Sequence, residues 1–357
     1  LGSLALLATG CDDTADVQPD AGFVAPTVPA EQLAHARALY DLHCGFCHGE
    51  HGEGYVSDNA NALNRAEFLS VATDAFLTAA IVHGRPGTAM PTLGAEPYGG
   101  PLDADDVAAL VALIRSWQTV ASVDVHDEVH AGEPLRGVPL FAAACAECHG
   151  ADGQGGLYQS VANPWLLETA SDGLIAHAIR HGRPGPVDTD MPAFGDRLND
   201  QQISDLVALI RSWQVPVEGP PPAQYEPDPA NAVINPDGEA PTFALREDKF
   251  VAAADVWAAY DGGQRMIFLD ARGRTEFLRE HITGAVNVPH FELEQYLDQF
   301  PRDTWIIPYC GCPHAISGRA WDILAGAGFT QIAVLDEGYY FWKAQGWPVQ
   351  PWSPPEK

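Results

Sequence analysis

Two pentapeptides carry the same reactive side chains at the same spacing: Cys44-Gly45-Phe46-Cys47-His48 and Cys145-Ala146-Glu147-Cys148-His149. In each, two thiols stand one helical turn apart and an imidazole follows at once. That spacing lets the thiols reach the two vinyl groups of one porphyrin as thioethers and places the histidine on the iron. A zinc ribbon, the rival use of a Cys-x-x-Cys pair, draws on two such pairs, and each copy supplies one. The motifs predict two covalently bound haem c groups, on Cys44, Cys47 and His48 and on Cys145, Cys148 and His149. The chain has only three methionines, and two are spaced alike: Met90 lies 42 residues after His48 (90 − 48) and Met191 lies 42 after His149 (191 − 149). Both precede proline. A thioether ligand raises the potential of the iron and suits electron transfer. His83 and His181 also recur, seven and ten residues before the methionines (90 − 83; 191 − 181), and are the rival ligands. A core filler is the plain alternative for each methionine. The conserved interval favours Met90 and Met191 as the distal ligands.

Positioning two such sites takes two copies of one unit, and the chain repeats itself accordingly. His83-Gly84-Arg85-Pro86-Gly87 returns as His181 to Gly185, and Val111 to Gln118 returns letter for letter as Val207 to Gln214. Each copy predicts a helix before the Cys-x-x-Cys-His run (Glu31 to Leu42; Val138 to Ala144), a middle helix ending near the His-Gly-Arg-Pro-Gly turn, and a final amphipathic helix. Asp103 and Asn199 are the expected caps of the final helices. Leu110, Leu113, Ile114 and Trp117, and Leu206, Leu209, Ile210 and Trp213, recur at helical spacing and should face Tyr40 and Phe141 of the first helices. Both units resemble class I cytochrome c domains, by Cys-x-x-Cys-His, by Met191-Pro192-Ala193-Phe194-Gly195 and by the Ile-Arg-Ser-Trp helix end. The first copy departs slightly, with Met90-Pro91-Thr92-Leu93-Gly94. The resemblance implies all-α domains that transfer single electrons.

Cys310-Gly311-Cys312-Pro313-His314 uses the same letters at a different spacing. Its thiols are two residues apart and Pro313 separates the histidine, so a third haem is not expected. Apolar runs at Met266 to Leu269, Trp305 to Ile307 and Ile332 to Leu335 alternate with helical stretches such as Glu292 to Gln299 and Ala315 to Ala327, the pattern of an α/β domain. Cys310 stands where a strand ends and a short loop leads to a helix N-terminus, a setting that favours a thiolate nucleophile. Residues 243–352 resemble the rhodanese family: Leu269-Asp270-Ala271-Arg272, Glu280-His281-Ile282-Thr283-Gly284-Ala285, Tyr309-Cys310 before loop and helix, and Gly346-Trp347-Pro348-Val349 match its motifs. The resemblance implies that Cys310 accepts sulfane sulfur as a persulfide. The loop departs from the family at Cys312 and His314. Cys312 has three readings: it resolves a persulfide, pairs with Cys310, or binds a soft metal. His314 either assists an anionic substrate or faces solvent. Arg272 is read as structural, paired with acids such as Glu276.

A formal net charge of −29 disfavours nucleic acid and anionic lipid as partners and favours basic docking surfaces on redox proteins. The apolar start and Ala8-Thr9-Gly10-Cys11 resemble the end of a secretory signal with a lipobox, which predicts lipidation of Cys11 and a periplasmic or cell-envelope site, with membrane contact only through that anchor. The expected layout is a signal remnant at 1–10, a tether at 11–30, cytochrome c domains at 31–120 and 132–215 joined by a polar linker at 121–131, a Pro-rich extended linker at 216–241, and the rhodanese-like domain at 242–354. A dihaem electron-transfer protein is expected, in which sulfur chemistry at Cys310, as a sulfurtransferase or a sulfur-oxidising oxidoreductase, feeds the haems. The alternative is a plain electron carrier whose third domain docks a partner.

Overall fold

The computed structural model describes residues 22–54, 60–95, 98–126, 130–155, 158–183, 191–217, 225–311 and 314–353. Cys11 and Cys312 lie outside them. In the first unit α1 (Ala30–His43), α2 (Gly45–His48), α3 (Ala66–Leu69), α4 (Asp74–His83) and α5 (Ala104–Arg115) follow in order. The second unit repeats the order with α6 (Pro134–Ala144), α7 (Ala146–His149), α8 (Pro164–Thr169), α9 (Asp172–His181) and α10 (Asp200–Ser212). The final helices begin in capping boxes. Asp103 accepts from the backbone N–H groups of Asp105 and Asp106, and Asn199 from that of Gln202, while Asp106 and Gln202 reach back to the cap N–H. Helix α6 starts four residues before the expected Val138, because Pro134 fits the first helical position, and it tolerates Pro139 inside.

The shared letters make shared contacts. Trp117 meets Tyr40 edge-to-face at 5.2 Å, and Trp213 meets Phe141 at 5.0 Å, so each final helix packs on the helix that leads into its Cys-x-x-Cys-His run. Arg115 binds the carboxylate of Asp74 and the carbonyls of Leu69 and Ala72; Arg211 binds Asp172, Leu167 and Ala170 in the same way. Each arginine thereby ties a final helix to the start of a middle helix. The two units also share apolar packing: Val125, Ala170 and Leu174 belong to the core of the first unit. Val125 therefore gives the polar segment between the units a buried anchor.

The third domain contains β1 (Phe250–Val251), α11 (Ala253–Asp261), β2 (Met266–Asp270), α12 (Arg274–Arg279), β3 (His281–Ile282), β4 (Val286–Asn287), β5 (Trp305–Tyr309), α13 (Ala315–Gly326), β6 (Val334–Leu335), α14 (Gly338–Ala344) and β7 (Val349–Gln350). Strands β4, β2 and β5 pair in parallel, and a parallel bridge from Ile306 to Ile332 leads to the β6–β1 pair. All of β2 is buried, as befits a central parallel strand covered on both faces. The helical stretch expected over Glu292 to Gln299 is a 3-10 helix, Leu293–Gln299. The second half of the segment read as an extended linker is folded. The Tyr225 ring packs on Phe277, its hydroxyl accepts from the N–H of Asn287, and Ile234 bridges Met266. Tyr225 and Ile234, set among prolines and acids, supply the anchors, with Ala232 and Val233 packed on the same domain.

Candidate functional site

In each unit the run from first cysteine to histidine closes one helical turn. His48 N–H bonds the Cys44 carbonyl and His149 N–H that of Cys145, both at 2.9 Å. The ring of each histidine is then turned by a backbone acceptor: His48 Nδ1 lies 2.7 Å from the Asn61 carbonyl and His149 Nδ1 2.9 Å from the Gln159 carbonyl. An N–H fixed at Nδ1 leaves the lone pair of Nε2 facing outward as a metal ligand. Burial pushes both histidines below their ordinary pKa, against the pull of those carbonyls, and so favours the neutral, ligating form. It also pushes the Cys44 thiol up to about 12 and the Cys145 thiol up to about 11.

The methionines are positioned by the turn before them. Gly84 and Gly182 end α4 and α9 with φ of 61° and 72°, and a Cβ on either would collide with the Met90-Pro91 or Met191-Pro192 backbone. Arg85 N–H bonds the Met90 carbonyl at 3.0 Å, and Arg183 and Met191 exchange backbone bonds at 2.9 and 3.1 Å. The rival histidines are engaged elsewhere. His83 stacks on Trp165 of the second unit at 3.9 Å, and His181 lies against His177 at 4.3 Å. Two thiols, an oriented imidazole and a pinned thioether segment fit a haem c. Among the described residues no cluster of three His, Cys, Asp or Glu is arranged for a bare metal ion.

In the third domain Cys310 follows β5 directly and is fully buried. Its Sγ lies 3.3 Å from Ser317 Oγ in the first turn of α13, and its carbonyl accepts from Tyr339 N–H. Ser317 is the partner that spacing alone does not reveal, seven residues on and brought back by the loop. His314 caps the helix at φ 70°, lies tilted against Phe250 at 4.3 Å and sits 2.5 Å from Asp336 Oδ1. Arg246 and His314 hold that carboxyl below its usual range. Arg272 is structural as expected, but its partner differs. It forks onto Asp270 at 2.6 Å and lies over the Tyr339 ring, while Glu276 turns toward Thr92 of the first unit. Asp270 lies at the buried end of β2, where Arg272 from the next turn of chain and the Tyr309 hydroxyl at 2.7 Å both reach it.

The family profile described as "Cytochrome C oxidase, cbb3-type, subunit III" matches residues 31–114 and again 132–210. Cytochrome c6 from Thermosynechococcus vestitus is 32% identical over 87 residues, 22% of this chain and 70% of that protein. The chain belongs to the c-type cytochromes. Such domains imply haem c, bound covalently. The profile of the rhodanese-like domain matches residues 252–345 of this cytochrome. The "Cbb3-type cytochrome c oxidase subunit FixP" of Sinorhizobium medicae is 27% identical over 199 residues, 52% of this chain and 62% of the relative. The cytochrome thus spans about three fifths of the length of the curated relatives it matches. A solved rhodanese-related protein from Thermoplasma volcanium aligns at 24% identity and a TM-score of 0.26, covering 29% of this chain and 97% of its own. No helix among the described residues is long and apolar enough to cross a membrane.

Proposed function

We propose that this cytochrome binds two haem c groups and receives electrons from sulfur chemistry at Cys310. The first haem would be held by Cys44, Cys47, His48 and Met90, the second by Cys145, Cys148, His149 and Met191. When bound, each supplies one-electron redox capacity, so a pair matches the two electrons of sulfur–sulfur bond formation. Cys310 is fully buried, so in the proposed step its proton leaves to solvent by way of the Ser317 hydroxyl beside it. Its sulfur then bonds to the terminal sulfur of a sulfane anion such as thiosulfate or polysulfide. One S–S bond forms, no group leaves, and two electrons are released, with the ferric haems as the oxidant.

The observation that carries this reading is where Cys310 sits. Phe46, inside the first Cys-x-x-Cys-His run, and Ala89, next to Met90, pack on the same core cluster as Cys310. The Tyr340 hydroxyl donates to the Thr88 carbonyl at 3.1 Å. A Cβ on Gly311, the neighbour of Cys310, would stand 2.9 Å from the Tyr340 ring and 3.7 Å from Ala89 Cα. The thiol loop therefore rests against both segments read as haem-binding in the first unit. Stopped-flow mixing of the oxidised protein with thiosulfate or polysulfide should reduce the haems, and Cys310→Ser should abolish most of that rate. Equal reduction of wild type and variant sinks the proposal.

The full burial of Cys310 favours the second reading, a non-catalytic third domain that docks a redox partner. Deleting residues 243–357 would then weaken partner binding while Cys310→Ser changes nothing. The charge of −29 supports basic docking surfaces on such partners. Cys11 supports a lipid anchor in the cell envelope, and Cys312 supplies a second thiol able to resolve a persulfide.

A further inference from the structure

The histidines of the two Cys-x-x-Cys-His runs are joined by three hydrogen bonds in series with the covalent frames of two residues. The carbonyl of Asn61 accepts from His48 Nδ1 at 2.7 Å, and the carbonyl of Gln159 accepts from His149 Nδ1 at 2.9 Å. The side chains of those same two residues meet across the boundary between the units: Asn61 Nδ2 donates to Gln159 Oε1 at 2.5 Å. Both residues are half-buried.

The meeting follows from the repeat. Two residues after Asn61, Leu63 N–H bonds the Gly52 carbonyl at 2.7 Å; two after Gln159, Val161 N–H bonds the Gly153 carbonyl at 2.9 Å. Asn61 and Gln159 therefore hold the same place in their units, and the units face each other through it, as copies do across an approximate two-fold axis. A second contact keeps the faces together: Asn163 Nδ2 donates to the Pro86 carbonyl at 2.9 Å.

We infer that Asn61 and Gln159 form a hydrogen-bonded bridge between the two proximal histidines and carry the electronic coupling between the two haem sites. Groups bonded to a ligating imidazole tune the metal beyond it, and here the covalent frames of Asn61 and Gln159 continue that path to the bond between their amides. Neither amide titrates, so the coupling is insensitive to pH. The inference rests on the two-haem reading and is independent of any chemistry at Cys310.

The test uses the full-length holoprotein. Exchange between the sites is read from the line shapes of the haem methyl resonances in half-reduced samples, beside haem content per chain and midpoint potentials. Asn61→Leu and Gln159→Leu keep the backbone carbonyls that orient the histidines and remove only the bridge. Each should slow intramolecular exchange by an order of magnitude with little change in potential, and the double variant should be no slower than either single one. Gln159→Glu retains the acceptor and should keep exchange fast. Asn163→Asp breaks the other contact while preserving the cap of α8, and should also leave exchange fast. Unchanged exchange in the leucine variants overturns the bridge, as does equal slowing in Asn163→Asp. A content of one haem per chain overturns the two-haem reading and the bridge together.

Discussion

Glu276 is the residue whose replacement tests the contact between the first unit and the third domain most directly. Its Oε1 lies 3.4 Å from the N–H and the hydroxyl of Thr92, and its Oε2 is buried without a partner. Burial is the main cause that pushes its pKa from 4.5 up to about 7, with Arg272 and Arg279 pulling the other way. A raised carboxyl contributes stability that is complete below 4.5 and is lost as pH rises through about 7. At about 1.4 kcal/mol per pH unit, the span amounts to about 3 kcal/mol. The histidines at the same boundary act in the opposite sense. Burial pushes His43 down to about 4 and His290 down to about 3, with Arg319 near both. Their contribution is full above 6.5 and is lost as pH falls through those values. The contact should therefore be strongest near 6.5, above which only Glu276 still titrates. Urea unfolding followed by circular dichroism across pH would show wild type losing about 3 kcal/mol relative to Glu276→Gln between 4.5 and about 7, the histidines cancelling in the difference. Glu276→Gln keeps the acceptor and should flatten that limb alone. An unchanged alkaline slope in the variant would refute the reasoning, because another group would then be titrating.

Two further outcomes are expected. Gly182→Ala should push the Met191 segment aside and lower the midpoint potential of the second site, seen in a redox titration with loss of the methionine–iron absorption; an unaltered potential would remove Met191 from the ligand set. Arg272→Leu leaves Asp270 buried without its cation and should cost about 3–5 kcal/mol in urea unfolding, as broken buried pairs do; a loss well under that range would mean that the Tyr309 hydroxyl alone satisfies the carboxylate.

Features confined to one stretch of chain were legible. The Cys-x-x-Cys-His turns, the caps at Asp103 and Asn199 and the strand before Cys310 each follow from neighbours a few residues apart. The repeated Val111 to Gln118 helix announced the packing of Trp117 on Tyr40, because identical letters impose an identical apolar stripe. What stayed hidden depends on distant chain. Asn61 and Gln159 are 98 residues apart and Thr92 and Glu276 are 184, and no periodicity connects such pairs. Arg272 was assigned the nearest acid one helical turn ahead, Glu276, when the buried end of β2 offered Asp270 two residues behind. The stretch after residue 224 looked unstructured from its prolines and acids. Tyr225 and Ile234 reverse that, since a single buried ring or branched side chain is enough to hold an extended strand on a domain.

The first unit touches both of the others, the second through Asn61 and Pro86 and the third through Phe46, Thr88 and Thr92. The middle of the molecule in space is therefore synthesised before either of the parts that flank it. Its chain precedes theirs from end to end, so each later domain can fold against a docking site already made. Such an assembly is ordered by translation itself, and a lesion in the first unit should disorganise the third domain across a whole intervening domain of sequence.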